Sequence, residues 1–485
     1  MASTPDVDGA LLDGALRVTA EVREGEYGAK VAAVEPGGAE FIPLVERHGT
    51  PLNLLWTWTS PNLEFATVFL GVLAVAAFGQ SFPAAVVAIV LGTAAGSVSH
   101  GVLSARGPEL GVAQMIVGRV PFGFSGNALP AGLNAVVAGI GWFAVNSVSG
   151  AFALNALFGV PKLGSLVIVV VAQVTIAFLG HNFIHSFERW VFPLLGIVFV
   201  VACLTIAARS HPGALTANPT SNPVGAFLLT VGTSFGYAAG WNPYAADYTR
   251  YLAPEVSKKL TGRYAGLGVF VSCTVLEIAG ALSVSLSDDP VGQPTAAFTS
   301  SLPGWLAKLT LFAIAIGAIS ANAINVYSGA MSFLALGIRI PLRLARAIVA
   351  AAFSVLGFGL AWNGLSDAGH KYEAFLLVIA YWVGPWLAVM FVDQWLRRGH
   401  RVDGFLFDRS HNPFAGWVAM LVGMVVSIWL FSHQEDYVGP IAKGNPAWGD
   451  VTFEIGFVIA AVLYIVLFRL QRDRTDEVLV VPGRR

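Results

Sequence analysis

The chain has 485 residues, of which 55% are hydrophobic and only 12% charged, with a mean hydropathy of +0.69 and a formal net charge of -1. A soluble protein of this length carries about 25% charge, so the composition excludes an ordinary soluble enzyme and points to a membrane protein. No basic domain exists to hold nucleic acid, and Cys203 and Cys273 sit in apolar runs rather than in a disulfide or metal pattern.

The first stretch, residues 1–48, mixes acids and bases (Asp6, Asp8, Arg17, Glu21) and lacks the basic start and apolar core of a signal peptide. It is expected to be a cytoplasmic tail. A spanning helix needs about 20 apolar residues. That rule predicts about twelve spans, near 53–79, 82–103, 127–158, 164–182, 190–208, 225–246, 264–286, 305–335, 345–362, 373–393, 414–432 and 452–468. With the amino terminus inside, Lys162, Arg209, Lys308, Lys371 and Lys443 fall outside, and the rest of the 28 Lys and Arg fall inside. This is the bias of the positive-inside rule, and it places both termini in the cytoplasm of a multi-pass protein of a bacterial-type inner membrane. No soluble domain remains between the spans.

Span one reads LLWTWTSPNLEFATVFLG, with Pro61 and Asn62 early in it. Span six reads TVGTSFGYAAGWNPYAADY, with Gly232, Gly236, Gly240 and Pro243. The two lie five spans apart, so the second copy would be inverted. Paired discontinuous helices of this kind form midplane binding sites in transporters. Ordinary packing kinks are the alternative.

Polar groups within the spans narrow the solute. In span three, Trp142 and Asn146 are four apart and share a helix face. An aromatic plane beside an amide suits a flat heterocycle that stacks and hydrogen-bonds. Span six offers Trp241 and Asn242, and span eight offers Ser320, Asn322, Asn325 and Ser328. Taken singly, each Trp also fits interfacial anchoring and each Asn interhelical bonding. Acids within or beside spans are Glu64, Glu188, Glu277 and Glu454. A carboxyl in hydrocarbon is costly when charged, so each is a candidate proton carrier. Glu454 reads as a solvated boundary residue, and Glu188 can pair with Arg189. His181 and His185 lie near a span end and read as interfacial.

These residues together resemble the purine–cytosine permease branch of the nucleobase–cation symporter family, over about residues 45–410. The segments that carry the resemblance are SPNLEFATVFLG, LGVAQMIVGRVPFG, GWFAVN, HSFERW, GWNPYAADYTRYLAP, NAINVYS and VDQWLRRG, each on the appropriate span. The resemblance implies an all-α membrane fold. Two inverted five-helix repeats (residues 49–208 and 225–398) would form a core like that of the amino-acid and hydantoin transporters. Two peripheral spans (414–468) and a cytoplasmic tail (469–485) would follow. It implies a base held between Trp142 and Trp241. Asn146, Asn325, Asn322, Gly240 and Ser60 or Asn62 would surround that base. Hydantoin carriers typically have Gln where Asn146 stands, so Asn146 favours the purine–cytosine branch. The glutamate implicated in cation coupling in this branch matches Glu188, with Glu64 and Glu277 as further candidates.

Two departures matter. Sodium-coupled relatives place two adjacent hydroxyls in span eight, where this chain has Ile319 and Ser320. The loss of one favours proton coupling, although carbonyls beside Ser320 could still serve sodium. Fungal members carry Asn-Asn-x-Pro where this chain has Ala321-Asn322-Ala323-Ile324. The expectation is a secondary transporter importing a purine or cytosine-type base by proton symport, with no bound cofactor. Its partners would be the small-molecule nucleobase and the lipid bilayer, with no nucleic acid. Alternatives are the same fold carrying hydantoin, allantoin, uracil or a pyridine vitamin with sodium, or a sensor that does not translocate. An intramembrane enzyme would need paired catalytic groups, and none stand at suitable depth.

Overall fold

The computed structural model describes residues 40–471, apart from 180, 214–219, 292–293, 339–341, 367 and 435–436. The described residues are helical, with one isolated β-bridge between His433 and Val438. The principal helices are α1 (Asn53–Thr59), α2 (Phe65–Val72), α3 (Phe82–Ser104), α4 (Ala128–Phe158), α5 (Lys162–Leu179), α6 (His181–Arg209) and α7 (Pro223–Ala239). They continue with α8 (Lys258–Ser283), α9 (Gly304–Ala335), α10 (Leu342–Gly364), α11 (Ala368–Leu396), α12 (Ala415–Phe431) and α13 (Thr452–Leu470). Among the described residues six helices are long and apolar enough to cross a membrane, and the bent pair Asn53–Asn62 and Phe65–Ala77 makes a seventh.

The outer surface is apolar. On α3, Val87, Leu91 and Val98 are half or more exposed, while Gly92 and Gly96 face inward. In water such a stripe would drive association, whereas in lipid it is the expected covering.

The helices sort into two groups. In the first, α1, α2, α3, α7 and α8 pack against one another. Small residues set the spacing: a Cβ built on Gly280 of α8 would lie 1.9 Å from the Val68 carbonyl oxygen. Gly101 of α3 and Gly262 of α8 face each other's carbonyls in the same way. Backbone approach of this kind is how helices associate where lipid removes the hydrophobic drive. In the second group, α4 packs on α5, α9 and α10. Helices α11, α12 and α13 form a flank, with α11 also touching α7.

The α1–α2 pair turns by 62°. Pro61 lies in a short 3-10 turn, Ser60–Asn62, and has no N–H to continue the α1 ladder. Glu64 is extended (φ -148°, ψ 175°) and its Oε2 accepts the Ala66 N–H at 2.7 Å, capping α2. The freed carbonyls are taken up locally. Asn62 Nδ2 donates to Trp58 O at 2.6 Å, and Thr67 Oγ1 donates to Asn62 O at 2.7 Å. Such backbone is tolerated at membrane depth only where protein or a cavity satisfies it. Helix α7 also breaks, at Gly240 and Trp241, and resumes through a 3-10 turn (Asn242–Tyr244) and a short helix (Ala245–Thr249). A third irregularity is a π stretch in α4, Val137–Trp142, whose extra residue per turn widens the helix at Trp142.

One end of the molecule is closed by the segment before α1. Ile42 N–H donates to Gly111 O (3.0 Å), Arg47 Nη1 to Pro108 O (2.6 Å) and His48 N–H to Tyr251 O (2.6 Å). Arg250, fully buried behind this layer, donates to the Tyr327 hydroxyl at 3.0 Å.

Candidate functional site

The two helix breaks meet. Trp241 Nε1 donates to Asn62 Oδ1 at 2.8 Å, while the Nδ2 of the same amide holds Trp58 O. Both ends of Asn62 are therefore engaged within the protein, and Asn62 orients the Trp241 ring. Trp58 packs edge-on against Trp241 (centroids 5.8 Å) and against His100 of α3 (4.2 Å). Next to Trp241, Asn242 Nδ2 donates to Ser99 Oγ at 2.6 Å. Ser60 is buried and its hydroxyl has no hydrogen-bond partner among the described residues.

Trp142 lies on the opposing helix α4. Its ring meets Tyr237 (5.4 Å), Phe375 (5.2 Å) and Tyr372 (6.4 Å), each edge-to-face. Gly240 is its neighbour across the gap: a Cβ built there would stand 3.3 Å from Trp142 Cζ2. Residue 240 is thus small where the α7 break passes an indole.

One turn along α4, the amides converge. Asn146 Nδ2 donates to Asn322 Oδ1 at 3.2 Å, and Asn325 Nδ2 donates to the same oxygen at 3.3 Å. The Nδ2 of Asn322 is held by Phe143 O (3.0 Å) and Gln173 Oε1 (2.9 Å), and Gln173 in turn donates to Ser147 Oγ at 2.8 Å. Asn322 is the hub of this network. It consumes a donor from each neighbour and leaves Asn146 Oδ1 and Asn325 Oδ1 buried with no partner among the described residues. Each of these two oxygens is an acceptor that an N–H donor could meet. Gln173 was not singled out from sequence. An amide in the apolar run of α5 was its one available signal.

The carboxyls lie apart from the amides. Glu64 Oε1 is in hydrogen-bond contact with the Tyr237 hydroxyl at 3.2 Å, and Ser149 Oγ of α4 stands 3.4 Å from Oε2. Tyr237 also contacts the Thr67 hydroxyl closely. Glu277 of α8 is fully buried and its Oε2 accepts from Ser234 Oγ at 2.7 Å. Ser320 is fully buried in α9, on the helix whose Gly317 abuts the Leu63 carbonyl at the α1–α2 break. Glu188 belongs to helix α6, and its side chain lies outside the described residues, as do those of His181 and His185. The structure therefore brings Asn62 to Trp241, Gly240 to Trp142 and Asn322 to Asn146 and Asn325. It does not join Glu64 or Glu277 to that amide cluster.

A cavity of about 280 Å³ lies beside these groups, at the end of the bundle remote from the closing segment before α1. Its wall includes Phe65, Ala66, Gly141, Ser149, Tyr372 and Phe375, and it extends to Lys371 at the surface. Tyr372 and Phe375 therefore stand between this space and the Trp142 ring.

The chain and its fold have known counterparts. Residues 41–456 match the family described as permease for cytosine/purines, uracil, thiamine, allantoin. A purine-cytosine permease of Emericella nidulans is 27% identical over 461 residues, covering 90% of this chain and 88% of its own. A purine-cytosine permease of Saccharomyces cerevisiae is 26% identical over 446 residues, covering 87% of this chain and 83% of its own. Among solved structures, Mhp1, a nucleobase-cation-symport-1 family transporter in a closed conformation with bromovinylhydantoin bound, superposes with a TM-score of 0.71. It is 20% identical, over 90% of this chain and 95% of its own, and the likeness is one of fold.

Proposed function

The chain belongs to the family of permeases for cytosine/purines, uracil, thiamine and allantoin, as a multi-pass membrane transporter and not an enzyme, and from that premise we propose that it imports a purine or cytosine-type base by proton symport. The observation that supports the choice of solute is the pair of open acceptors, Asn146 Oδ1, one turn from Trp142 on α4, and Asn325 Oδ1 on α9. A base with a ring N–H and an exocyclic amine supplies planar donors for both, and its π face suits the indole. In this reading Trp142 and Trp241 stack on the base and Asn146 and Asn325 read its edge. Asn322 and Asn62 position them, Gly240 leaves room, and the Ser60 hydroxyl is a further contact.

The transport cycle follows from the two helix groups. In this reading the chain crosses a bacterial-type inner membrane about twelve times, with both termini cytoplasmic. Residues 49–208 and 225–398 form inverted five-span repeats, and 414–468 adds two peripheral spans between cytoplasmic tails at 1–48 and 469–485. The cavity at Lys371 then opens outward. Base and proton bind from that side, and the group of α1, α2, α3, α7 and α8 rocks against α4, α5, α9 and α10 to open the other. Coupling requires that base and proton favour the same closed state. The carboxyl that takes the proton is sought among Glu188, Glu64 and Glu277. Ser320 would be the hydroxyl for a sodium ion if sodium replaced the proton.

Equilibrium binding to the purified protein tests the solute. Labelled cytosine, adenine and hypoxanthine should bind and be displaced by one another, and Trp142→Ala should weaken binding in protein that still folds. Displacement of a label only by hydantoin, allantoin, uracil or a pyridine vitamin would overturn the base assignment.

A further inference from the structure

Three contacts run in series through the α1–α2 break. Glu64 Oε1 meets the Tyr237 hydroxyl at 3.2 Å, that hydroxyl meets Thr67 Oγ1, and Thr67 Oγ1 meets the Asn62 carbonyl oxygen at 2.7 Å. Each contact needs one hydrogen. Tyr237 and Thr67 bring one each, and the Asn62 carbonyl is an acceptor only. Two hydrogens cannot fill three contacts. The third can come only from Glu64, and only when its carboxyl is protonated.

From this count we propose that Glu64 is the group that carries the coupled proton, and that the described conformation is its proton-bound form; the inference rests on the symport reading above. With the proton in place, Glu64 donates to Tyr237, Tyr237 donates to Thr67, and Thr67 donates to Asn62 O. The same Asn62 holds Trp241 through Oδ1. On loss of the proton to water, Tyr237 must turn its hydrogen to the carboxylate. Thr67 can then serve Tyr237 or the Asn62 carbonyl, not both, and the break that positions Trp241 loosens. Proton and base are linked by this chain in the sense that symport requires.

The direct contacts of the Glu64 carboxyl include two hydroxyls and one backbone N–H. The groups that face Glu64 are Tyr237 of α7, Tyr372 of α11, Cys273 of α8 and Ser149 of α4. Among the described residues no Lys, Arg or His forms an ion pair with it. The carboxyl is separated from the cavity that reaches Lys371 by Ala66 and Ser149, which both touch it and also line that cavity.

Infrared difference spectra of the full-length protein in liposomes, taken between neutral and alkaline pH, read protonated carboxyls with no substrate present. We expect a protonated-carboxyl band that is absent in Glu64→Gln and kept in Glu277→Gln and Glu188→Gln. Tyr237→Phe, which keeps the carboxyl and removes its partner, should shift that band in frequency. A band unchanged in both Glu64→Gln and Tyr237→Phe overturns the proposal, whatever the protein carries. In transport, Glu64→Gln can still supply the third hydrogen from its amide, so counterflow of the base should persist while proton-driven accumulation is lost. Proton-driven accumulation at the wild-type level in Glu64→Gln also overturns it. Absence of both uptake and counterflow in the wild type would instead count against the transport reading, and the infrared result would still decide Glu64.

Discussion

Trp241 Nε1 donates to Asn62 Oδ1 at 2.8 Å, across 179 residues of sequence, and this bond ties the break of one helix to the break of another. It makes the indole of Trp241 a fixed plane rather than a free rotor. Trp241→Phe keeps a ring and removes the donor, leaving Asn62 Oδ1 buried and unmet. That costs about 1–3 kcal/mol of stability. The melting temperature in detergent should fall, and base affinity should fall less than in Trp241→Ala. Equal affinity loss in the two variants would show that the bond, and not the ring, matters.

Asn322 is assigned a positioning role, because its own amide is fully used within the protein. Asn322→Ala should release Asn146 and Asn325 and weaken base binding about tenfold, equal to about 1.4 kcal/mol. Combined with Asn146→Ala, the loss should be less than the sum of the two single losses. Full additivity, measured by equilibrium binding, would contradict the hub.

The α2–α8 contact should tolerate no side chain at residue 280. A Cβ there stands 1.9 Å from the Val68 carbonyl oxygen, whereas one on Gly304 meets nothing within 4 Å. Gly280→Val should destabilise by about 1–3 kcal/mol or more through forced separation of the helices. Gly304→Val is the control and should melt like the wild type.

In the loop between α11 and α12, outside the spans, burial holds the His411 imidazole below its ordinary value of 6.5. Its ring stacks on Phe405 (centroids 4.2 Å) and Nε2 donates to Val120 O at 2.9 Å. The folded pKa is depressed, so the unfolded chain binds the proton more readily. Stability is therefore full above about 6.5 and declines as pH falls below it. Melting curves from pH 7.5 to 5 should show this decline, and His411→Gln should flatten it.

Much of this arrangement can be read in the sequence. Pro61 and Pro243 each mark a helix that cannot continue, because proline lacks the N–H of the ladder, and both breaks are present. The spacing of Trp142 and Asn146 places both on one helix, although the π stretch ending at Trp142 has no signature beyond Gly139 and Gly141. What a linear pattern cannot supply is which amide serves which. Asn146, Asn322 and Asn325 are alike as residue types, and only the reach of Gln173 from α5 makes Asn322 the hub. Tyr237 and Ser149 were hidden for the same reason, since their partner Glu64 lies 173 and 85 residues away along the chain.

Proteoliposome uptake tests the central claim most directly. Labelled cytosine, adenine and hypoxanthine are offered with an imposed proton gradient, an imposed sodium gradient or neither. Symport predicts that at least one base accumulates under the proton gradient alone and that Trp142→Ala weakens the effect. No accumulation of any base by folded wild-type protein, or accumulation driven by sodium alone, would contradict it.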